Sequence, residues 1–472
     1  MTHTVEKIGG TSMSRLKDLR DTLFIKNGAP QYGRVFVVSA FGGITNMLLE
    51  HKKTGEPGIY ANFADGNGET RWNSALDAAR DAMIAAHSEI LDHPNDIAAA
   101  TDMVHDRIEG ARNCLVDLQR LCSYGHFRLN QHLLQIRELL SGIGEAHSAR
   151  VAVLLLQRAG AQARLVDLTG WRDEGEVSLH DRITSALHGI DTDRELPIVT
   201  GYAQCTEGLM REFDRGYSEV TFSKLAALTG AREAIIHKEF HLSSADPKLV
   251  GADKVRKLGR TNYDVADQMA NLGMEAIHPS AAKTLRQAGV PLRVAHAFEP
   301  EDPGTLIDDQ PTDSAAVEIV TGLDVLALEI FEQDMVGVKG YDAAILEALT
   351  RHGVRIVSKV SNANTITHYL DATVAEVRRV EKDLMRLYPH AEISTREVSL
   401  VSIVGRDLLG LSVLTRGLMA LEQAGLASLG ASQGPRNVDV QYVMPRVDMA
   451  AAIQVLHDAL IVKGAQRFPR AA

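Results

Sequence analysis

The segment VEKIGGTS, residues 5–12, decides the fold class of this 472-residue chain. A short β-rich run ends at Ile8, and the glycine pair that follows leads into a helical pattern. Residues 34–46, RVFVVSAFGGITN, repeat this order of strand, glycine-rich turn and helix. Strands that alternate with helices in this way are typical of α/β units around a mainly parallel sheet. We therefore predict an α/β fold for the N-terminal part of the chain.

Both glycine turns have the chemistry of a phosphate-binding site. Glycine lets backbone N–H groups approach an anion, the N-terminus of the following helix favours negative charge, and Lys7 adds a compact positive charge. Glycine pairs also occur in ordinary turns, and a hydroxyl residue such as Thr45 is often only a helix cap. These residues alone therefore support phosphate binding and a plain turn about equally.

The composition is that of an ordinary globular protein, with 45% hydrophobic residues, 24% charged residues and a net charge of −11. No run approaches the length of a membrane span, and the first residues lack the pattern of a signal peptide. The three cysteines form no CxxC pair, and a nucleic-acid-binding protein would need a basic face. We therefore expect a cytoplasmic chain without a disulfide framework, a zinc site, a membrane partner or a nucleic-acid partner.

The length of the chain predicts two or three domains. Residues 299–315 are dense in proline and aspartate, which indicates a domain boundary. Beyond it, DMVG at 334–337 recurs as DLLG at 407–410, and GV at 353–354 recurs as GL at 425–426. Each copy has the order strand, turn, helix, strand, strand, followed by another helical segment. The C-terminal third is therefore predicted to form two related βαββα modules.

A helical stretch at 129–159 contains an acid and a histidine in apolar surroundings. Gly142 and Gly144 are predicted to interrupt this stretch, because glycine weakens a helix interior. Glu145 and His147 follow directly. A solvated turn or kink is the commoner explanation for such residues when they are taken alone.

The segment RGYSE at 215–219 precedes the next helical pattern. Ser218 and Glu219 suit the first turn of that helix, and Arg215 has the planar group that pairs with a carboxylate. A capped helix with a surface arginine explains the same residues. The hydroxyl-rich loop SSADPK at 243–248 indicates only a turn by itself.

Together these segments resemble the aspartate kinase (aspartokinase) branch of the amino-acid kinase family over nearly the whole chain. Residues 7–12 are similar to the family signature KFGGTS, and residues 39–46 are similar to its signature SAxxGxTN. Shorter matches are Gly144–Glu145, 215–219, 246–248, His278–Pro279 and 303–305. The C-terminal repeat is similar to the tandem ACT modules of that family, in which the second module is inserted into the first.

The resemblance implies a fold and a domain organisation. Residues 1–300 would form a three-layer αβα catalytic domain with a mainly parallel sheet, and residues 301–320 would be a linker. Residues 321–392, completed by 445–472, would form the first ACT module, a βαββαβ ferredoxin-like unit. Residues 393–444 would form the second, inserted module. ACT modules pair across subunits in this family, so the resemblance also implies a homodimer.

The same resemblance implies transfer of the γ-phosphoryl group of ATP to the β-carboxylate of L-aspartate, which gives 4-phospho-L-aspartate and opens the aspartate pathway. Lys7 would neutralise the transferred charge, and Glu219 would organise Lys7. Mg²⁺ would bridge phosphate oxygens, and no residue is predicted as its direct ligand. The residues implied to contact ATP are Lys7, Gly9, Gly10, Ser12, Ser243, Asp246 and Lys248. Those implied to hold L-aspartate are Ser39, Thr45, Glu145, Arg215, Gly216 and Ser218.

Charged residues near the implied nucleotide site depart from the family pattern. The chain has His237-Lys238-Glu239 where the family usually has Thr-Asp, and it has Glu275 where a lysine is usual. This exchange motivates the hypothesis that Lys238 replaces the missing positive charge and contacts ATP. The departures resemble the subgroup associated with ectoine synthesis, as do the segments 54–58, 121–127 and 237–247.

Regulation and alternative functions also follow from the comparison of motifs. Residues 361–365, SNANT, differ from the TSExS pattern of feedback-sensitive relatives, which predicts weak or absent inhibition by lysine. A kinase for another amino acid, such as glutamate, would share the glycine turns. An ACT-containing amino-acid sensor that has lost catalysis is the alternative from another class. The presence of Lys7, Thr45, Glu145 and Arg215 together favours an active enzyme.

Overall fold

The computed structural model describes residues 3–26, 28–66, 69–173, 175–213, 216–274, 277–310 and 315–464. The chain forms two compact units. The first comprises Met1–Leu242, Gly259–Tyr263 and Ile277–Asp309, and the second comprises Ser243–Leu258, Asp264–Ala276 and Gln310–Ala472. Two segments within the range 1–300, expected for the catalytic domain, therefore belong to the second unit. The linker and module boundaries expected from the sequence stay predictions.

The described residues of the first unit form ten strands. These are β1 (Thr4–Ile8), β2 (Ile25–Lys26), β3 (Ala29–Pro30), β4 (Arg34–Val38), β5 (Ala163–Val166), β6 (Leu196–Thr200), β7 (Glu233–Lys238), β8 (Arg260–Thr261), β9 (Leu292–His296) and β10 (Thr305–Ile307). Eight of them form one sheet in the order β5-β6-β4-β1-β7-β9-β10-β8, while β2 pairs with β3. Neighbours in the large sheet are parallel except for β9 and β10. The central strands β1 and β4 are almost wholly buried, as expected for parallel strands covered on both faces.

Helices cover this sheet. The α-helices in the described residues up to Ala288 are α1 (Gly10–Met13), α2 (Leu16–Leu19), α3 (Ile44–Leu48), α4 (Ile59–Ala64), α5 (Glu69–Ile90), α6 (Pro94–Cys122), α7 (Leu133–Arg158), α8 (Leu179–Leu187), α9 (Leu209–Phe213), α10 (Tyr217–Leu228), α11 (Pro247–Val250), α12 (Tyr263–Asn271) and α13 (Pro279–Ala288). Of these, α11 and nearly all of α12 lie in the second unit. Helix α7 packs on β4, β5 and β6, whereas α10 packs on β1, β4 and β7. A mainly parallel sheet with packed helices confirms the predicted α/β class.

Helix α7 is continuous across Gly142 and Gly144, so the predicted interruption is wrong. A Cβ atom at Gly142 would lie 3.0 Å from side-chain atoms of Thr169 and Tyr202, and one at Gly144 would lie 2.8 Å from Cβ of Ala40. The glycines therefore serve close packing, which outweighs their cost of about 1 kcal/mol in a helix interior. Helix α7 has the length and apolar composition of a membrane span, but it is largely buried inside the first unit.

The second unit contains one antiparallel sheet. Its strands are β11 (Ala316–Phe331), β12 (Arg355–Ser361), β13 (Thr365–Asp371), β14 (Glu392–Arg406), β15 (Gly430–Gln433) and β16 (Asp439–Pro445), in the order β12-β13-β11-β14-β16-β15. Its longer helices are α14 (Tyr341–Arg351), α15 (Val374–Leu387), α16 (Val413–Gln423) and α17 (Met449–His457). The long strands β11 and β14 pair along almost their whole length and join two hydrophobic cores. The two repeats predicted from the sequence therefore share one sheet.

Candidate active site

Two glycine turns lie side by side at the carboxyl edge of the large sheet. The first follows β1, and the second follows β4 and begins at Ser39. A Cβ atom at Gly10 would lie 2.6 Å from the carbonyl oxygen of Ala40, so only glycine fits where the turns meet. The backbone N–H of Gly42 donates to the Ser14 hydroxyl at 2.9 Å and joins the turns. Carboxyl edges of parallel strands are the usual ligand-binding edge of such sheets, so this crevice is the candidate site.

A cluster of two lysines and one glutamate borders the first turn. The Lys7 ammonium donates to Glu219 Oε1 at 3.4 Å, and the Lys238 ammonium lies 3.7 Å from the same oxygen. The other oxygen of Glu219 accepts the backbone N–H of His278. Burial alone would raise the pKa of Glu219, but both ammonium groups and the His278 N–H hold it below its usual value. Glu219 is therefore ionised and positions two cations at the sheet edge.

A buried carboxyl group borders the second turn. Glu145, on α7, accepts a hydrogen bond from the Ser218 hydroxyl at 2.8 Å through Oε1. The Ser39 hydroxyl donates to the Ser218 hydroxyl at 3.4 Å, and the Ser148 hydroxyl donates to the Ser39 carbonyl at 2.8 Å. Burial raises the pKa of Glu145 to about 8.

The second oxygen of Glu145 sets the chemistry of this part of the site. Among the residues that the structure describes, Oε2 of Glu145 is buried and has no hydrogen-bond partner. A buried oxygen without a partner is costly, and a donor brought by a ligand would remove that cost. An ammonium group is the donor that best matches a carboxylate. The crevice therefore combines a cationic side at Lys7 with an ammonium-accepting side at Glu145.

Ser12 contacts a carboxylate at the first turn. Its hydroxyl, which is buried, donates to Oε1 of the exposed Glu239. Sequence reasoning assigned Ser12 to phosphate and assigned no role to Glu239. Hydroxyl and carboxylate oxygens are ligands that Mg²⁺ accepts beside phosphate oxygens and water. The residues at this turn therefore fit a magnesium-bound phosphate.

A second cluster has the residue types of a metal site but fits magnesium poorly. The ligand atoms of His241, His296 and Glu299 lie within 4.8 Å of one another, and His241 Nε2 is 2.9 Å from Glu299 Oε2. His296 Nδ1 accepts the backbone N–H of Phe298, which places the proton of the neutral ring on Nε2. Magnesium prefers oxygen ligands over imidazole. The hydrogen bond between His241 and Glu299 and the stacking of the His241 and His296 rings explain the cluster.

Sequence reasoning missed a buried ionic network beneath the site. Glu6 accepts two hydrogen bonds from the Arg34 guanidinium, at 2.7 and 2.6 Å, and lies 2.7 Å from His237 Nε2. Burial alone would raise the pKa of Glu6, but Arg34 and His237 lower it far below its usual value. His237 therefore links β7 to β1 and β4. A glutamate inside the apolar run of β1 was the available signal, because a buried charge needs a partner.

The remaining predicted residues of the first unit have simpler surroundings. Thr45 lies half-buried in the first turn of α3. Gly216 directly precedes α10, and a Cβ there would lie 2.5 Å from His278 Cδ2. Two further residues lie outside the described residues. They are Arg215, which was predicted to bind the substrate, and Glu275, at which the sequence shows a reversed charge.

Three residues predicted to contact ATP belong to the second unit. Ser243 donates its hydroxyl to the carbonyl of Ala245 at 2.9 Å. The Asp246 carboxylate accepts the backbone N–H of Lys248 at 2.8 Å and caps α11. Local hydrogen bonds thus explain Ser243 and Asp246 within their own loop. Their contacts with ATP, and that of Lys248, stay predictions.

Comparison with known proteins agrees with the geometry of the site. The model of the amino acid kinase family matches residues 3–296, which is more than half of the chain. The chain belongs to the amino acid kinase family. The aspartate kinase Ask_Ect of Stutzerimonas stutzeri strain A1501 is 51% identical over 463 residues, which cover 97% of each chain. Aspartokinase 3, chloroplastic, of Arabidopsis thaliana is 23% identical over 96% of this chain and 81% of its own length. The resemblance to aspartate kinases drawn from the motifs is confirmed.

Solved structures of amino acid kinases show the same fold along nearly the whole chain. Aspartokinase III of Escherichia coli in complex with lysine and aspartate, in the T-state, aligns with a TM-score of 0.73 at 21% identity and covers 97% of this chain and 99% of its own. The same enzyme with aspartate and ADP, in the R-state, aligns with a TM-score of 0.70 at 20% identity over the same shares. These alignments confirm the predicted fold class for the catalytic and C-terminal regions together.

Proposed function

We propose that this chain is an aspartate kinase that transfers the γ-phosphoryl group of ATP to the β-carboxylate of L-aspartate and releases 4-phospho-L-aspartate. The observation that carries the proposal is the pairing of two opposite environments at one sheet edge. Lys7 stands beside the glycine turn on one side, and the buried Glu145 carboxyl with an unpartnered oxygen stands on the other. A phosphate donor and an amino-acid acceptor need these two environments. The 51% identity to an aspartate kinase supports aspartate as the acceptor.

On the nucleotide side, the chain binds and neutralises phosphate. The backbone N–H groups after β1, at Gly9 and Gly10, are free of side chains that would keep a phosphate away. Lys7 contacts the transferred group and stabilises the charge that develops on it, while Glu219 fixes the position of the Lys7 ammonium. Most of the catalytic effect in phosphoryl transfer is positioning and charge neutralisation, so no covalent intermediate on the protein is needed.

On the amino-acid side, the chain orients L-aspartate. Glu145 accepts the α-ammonium through its second oxygen, and Ser218 holds the first oxygen in place. Arg215 pairs with a substrate carboxylate, and Thr45 donates its hydroxyl to the substrate. Ser39 fixes Ser218 through the contact between their hydroxyls. The β-carboxylate of the substrate then faces the phosphate turn.

Magnesium accompanies ATP in this proposal. Glu239 and Ser12 are the residues that would hold it, together with phosphate oxygens and water. When bound, Mg²⁺ lowers the negative charge of the phosphates and so favours attack by a carboxylate.

The proposal extends to the setting of the enzyme. Its product enters the aspartate pathway and feeds ectoine synthesis, as the subgroup resemblance and the similarity to Ask_Ect suggest. The enzyme works in the cytoplasm as a homodimer joined through its ACT modules. Its partners are small molecules, with no nucleic acid and no membrane among them.

A coupled assay of ADP release tests the proposal against its alternatives. Purified protein receives Mg-ATP with L-aspartate or, as a control, L-glutamate. We expect turnover with aspartate alone, and its loss in a Lys7→Ala variant. Turnover with glutamate alone would assign the chain to another amino-acid kinase activity. Binding of an amino acid without any ADP release would support the sensor alternative.

A further inference from the structure

We infer that Lys238 is a second phosphate-binding cation, which contacts the triphosphate of ATP beside Lys7. This inference rests on the proposed function, because it assigns a further residue to the nucleotide side of the same site. The family usually has Thr-Asp in the stretch where this chain has His237-Lys238-Glu239, so Lys238 departs from the family pattern.

The pleat of the sheet places Lys238 on the same face as Lys7. Strands β1 and β7 are parallel neighbours, with Lys7 opposite Ile236 and Ile8 opposite His237. Side chains alternate between the two faces of a sheet, so His237 shares a face with Glu6 while Lys238 shares one with Lys7. The contacts agree, because His237 bonds to Glu6 and Lys238 approaches the partner of Lys7.

Glu219 fixes the distance between the two lysines. Both ammonium groups lie within 4 Å of Oε1 of Glu219, at 3.4 and 3.7 Å, so they are no more than about 7 Å apart. Neighbouring phosphates of one triphosphate lie well within that span. Lys238 also ends β7, at the edge where the phosphate turn begins after β1. One triphosphate is thus able to reach both ammonium groups.

The charges of the cluster favour an anionic ligand. Glu219 already accepts Lys7 and the His278 N–H, and the side chains of Lys7, Lys238 and Glu219 are only 11%, 13% and 13% exposed. Two ammonium groups that approach the same oxygen of Glu219 repel each other at this low exposure. An oligophosphate carries the negative charge that relieves this repulsion.

Calorimetric titration of nucleotide in the absence of aspartate tests the inference. Wild type, Lys238→Met and Lys238→Arg are each titrated with Mg-ATP and with AMP. We expect Lys238→Met to bind Mg-ATP about ten- to one-hundred-fold more weakly, the range for losing one hydrogen bond to a charged group, with AMP binding nearly unchanged. Lys238→Arg retains the charge and is expected to recover part of the loss. Lys17→Met, which removes a surface lysine paired with Asp92 at 2.9 Å, is the matched control and is expected to bind ATP normally.

The same substitution in a protein that also carries Glu219→Gln distinguishes a direct contact between Lys238 and phosphate from an effect through Glu219. If Lys238 contacts phosphate, Lys238→Met weakens Mg-ATP binding in a Glu219→Gln protein as well. No additional loss in that background, an equal loss for AMP, or unchanged ATP binding would each overturn the inference. The outcome is separate from that of the proposed function, because wild-type protein that binds Mg-ATP but lacks turnover with aspartate refutes only the latter.

Discussion

The affinity for L-aspartate is expected to depend on pH through Glu145. Burial raises the pKa of this carboxyl group to about 8, so it is mostly protonated in the free enzyme at neutral pH. Only the ionised form accepts the substrate ammonium, and affinity is therefore lost as pH falls below 8. Below the pKa the ionised fraction drops about tenfold per pH unit, to about one molecule in ten at pH 7 and one in a hundred at pH 6.

Initial rates at varied aspartate and saturating Mg-ATP, measured from pH 6 to pH 9, give the test. We expect the KM for aspartate to fall about tenfold per unit from pH 6 to 7 and to level off above pH 8. The KM for ATP in the same series is the internal control. A Glu145→Gln variant, which cannot ionise, is expected to show a KM that is about 10- to 100-fold higher at pH 8 and independent of pH. A flat aspartate KM in wild type, or a pH dependence that persists in the variant, would refute the role of Glu145.

Further predictions concern stability, packing and regulation. Glu6→Ala leaves a buried guanidinium and imidazole without their carboxylate, and urea denaturation is expected to show a loss of about 3–5 kcal/mol in the free energy of unfolding. The exposed Glu347→Ala is the control and is expected to cost less than about 1 kcal/mol. Equal losses in the two variants would contradict a stabilising role of the buried ionic network. Gly144→Ala pushes a methyl group into the second glycine turn and is expected to cost about 1–3 kcal/mol and raise the KM for aspartate. Gly259→Ala is its control, because a Cβ atom at Gly259 has no neighbouring atom within 4 Å. Equal stability and an equal KM for aspartate in the two variants would show that α7 and the turn tolerate the methyl group. Lysine at physiological concentrations is expected to leave the rate almost unchanged because residues 361–365 lack the feedback-sensitive pattern, and a steep inhibition curve would disprove this.

The sequence predicted the parts of the fold that depend on local pattern. The strand–glycine–helix order after Ile8 and after Val38 predicted a mainly parallel sheet with two glycine turns, and the structure has both. The repeat in the C-terminal third predicted paired modules, and the shared antiparallel sheet shows them. These features were predictable because the periodicity of apolar residues indicates which face of each helix or strand is buried.

Contacts between residues that are far apart in the sequence were harder to predict. Helix α7 continues through Gly142 and Gly144 because of side chains on other elements, and no local rule foretells those neighbours. The bond between Ser12 and Glu239 spans 227 positions, and the bond between Glu6 and His237 spans 231. Such pairs depend on strand order, which the sequence alone left open.

The charge arrangement at the nucleotide side was foreseen only in part. The exchange of residue types at Lys238 and Glu275 suggested that one charge replaces another. The structure adds that Lys238 shares an oxygen of Glu219 with Lys7. Residue types gave the signs of the charges, whereas the distances between them required the fold.

Detection of the acyl phosphate product tests the central claim most directly. Hydroxylamine traps 4-phospho-L-aspartate as a hydroxamate, so its yield reports phosphoryl transfer to a carboxylate and excludes simple ATP hydrolysis. The account predicts hydroxamate that depends on L-aspartate, equals the ADP formed, and falls about a hundredfold or more in Lys7→Ala. ADP release without hydroxamate, or equal yields from wild type and Lys7→Ala, would contradict it.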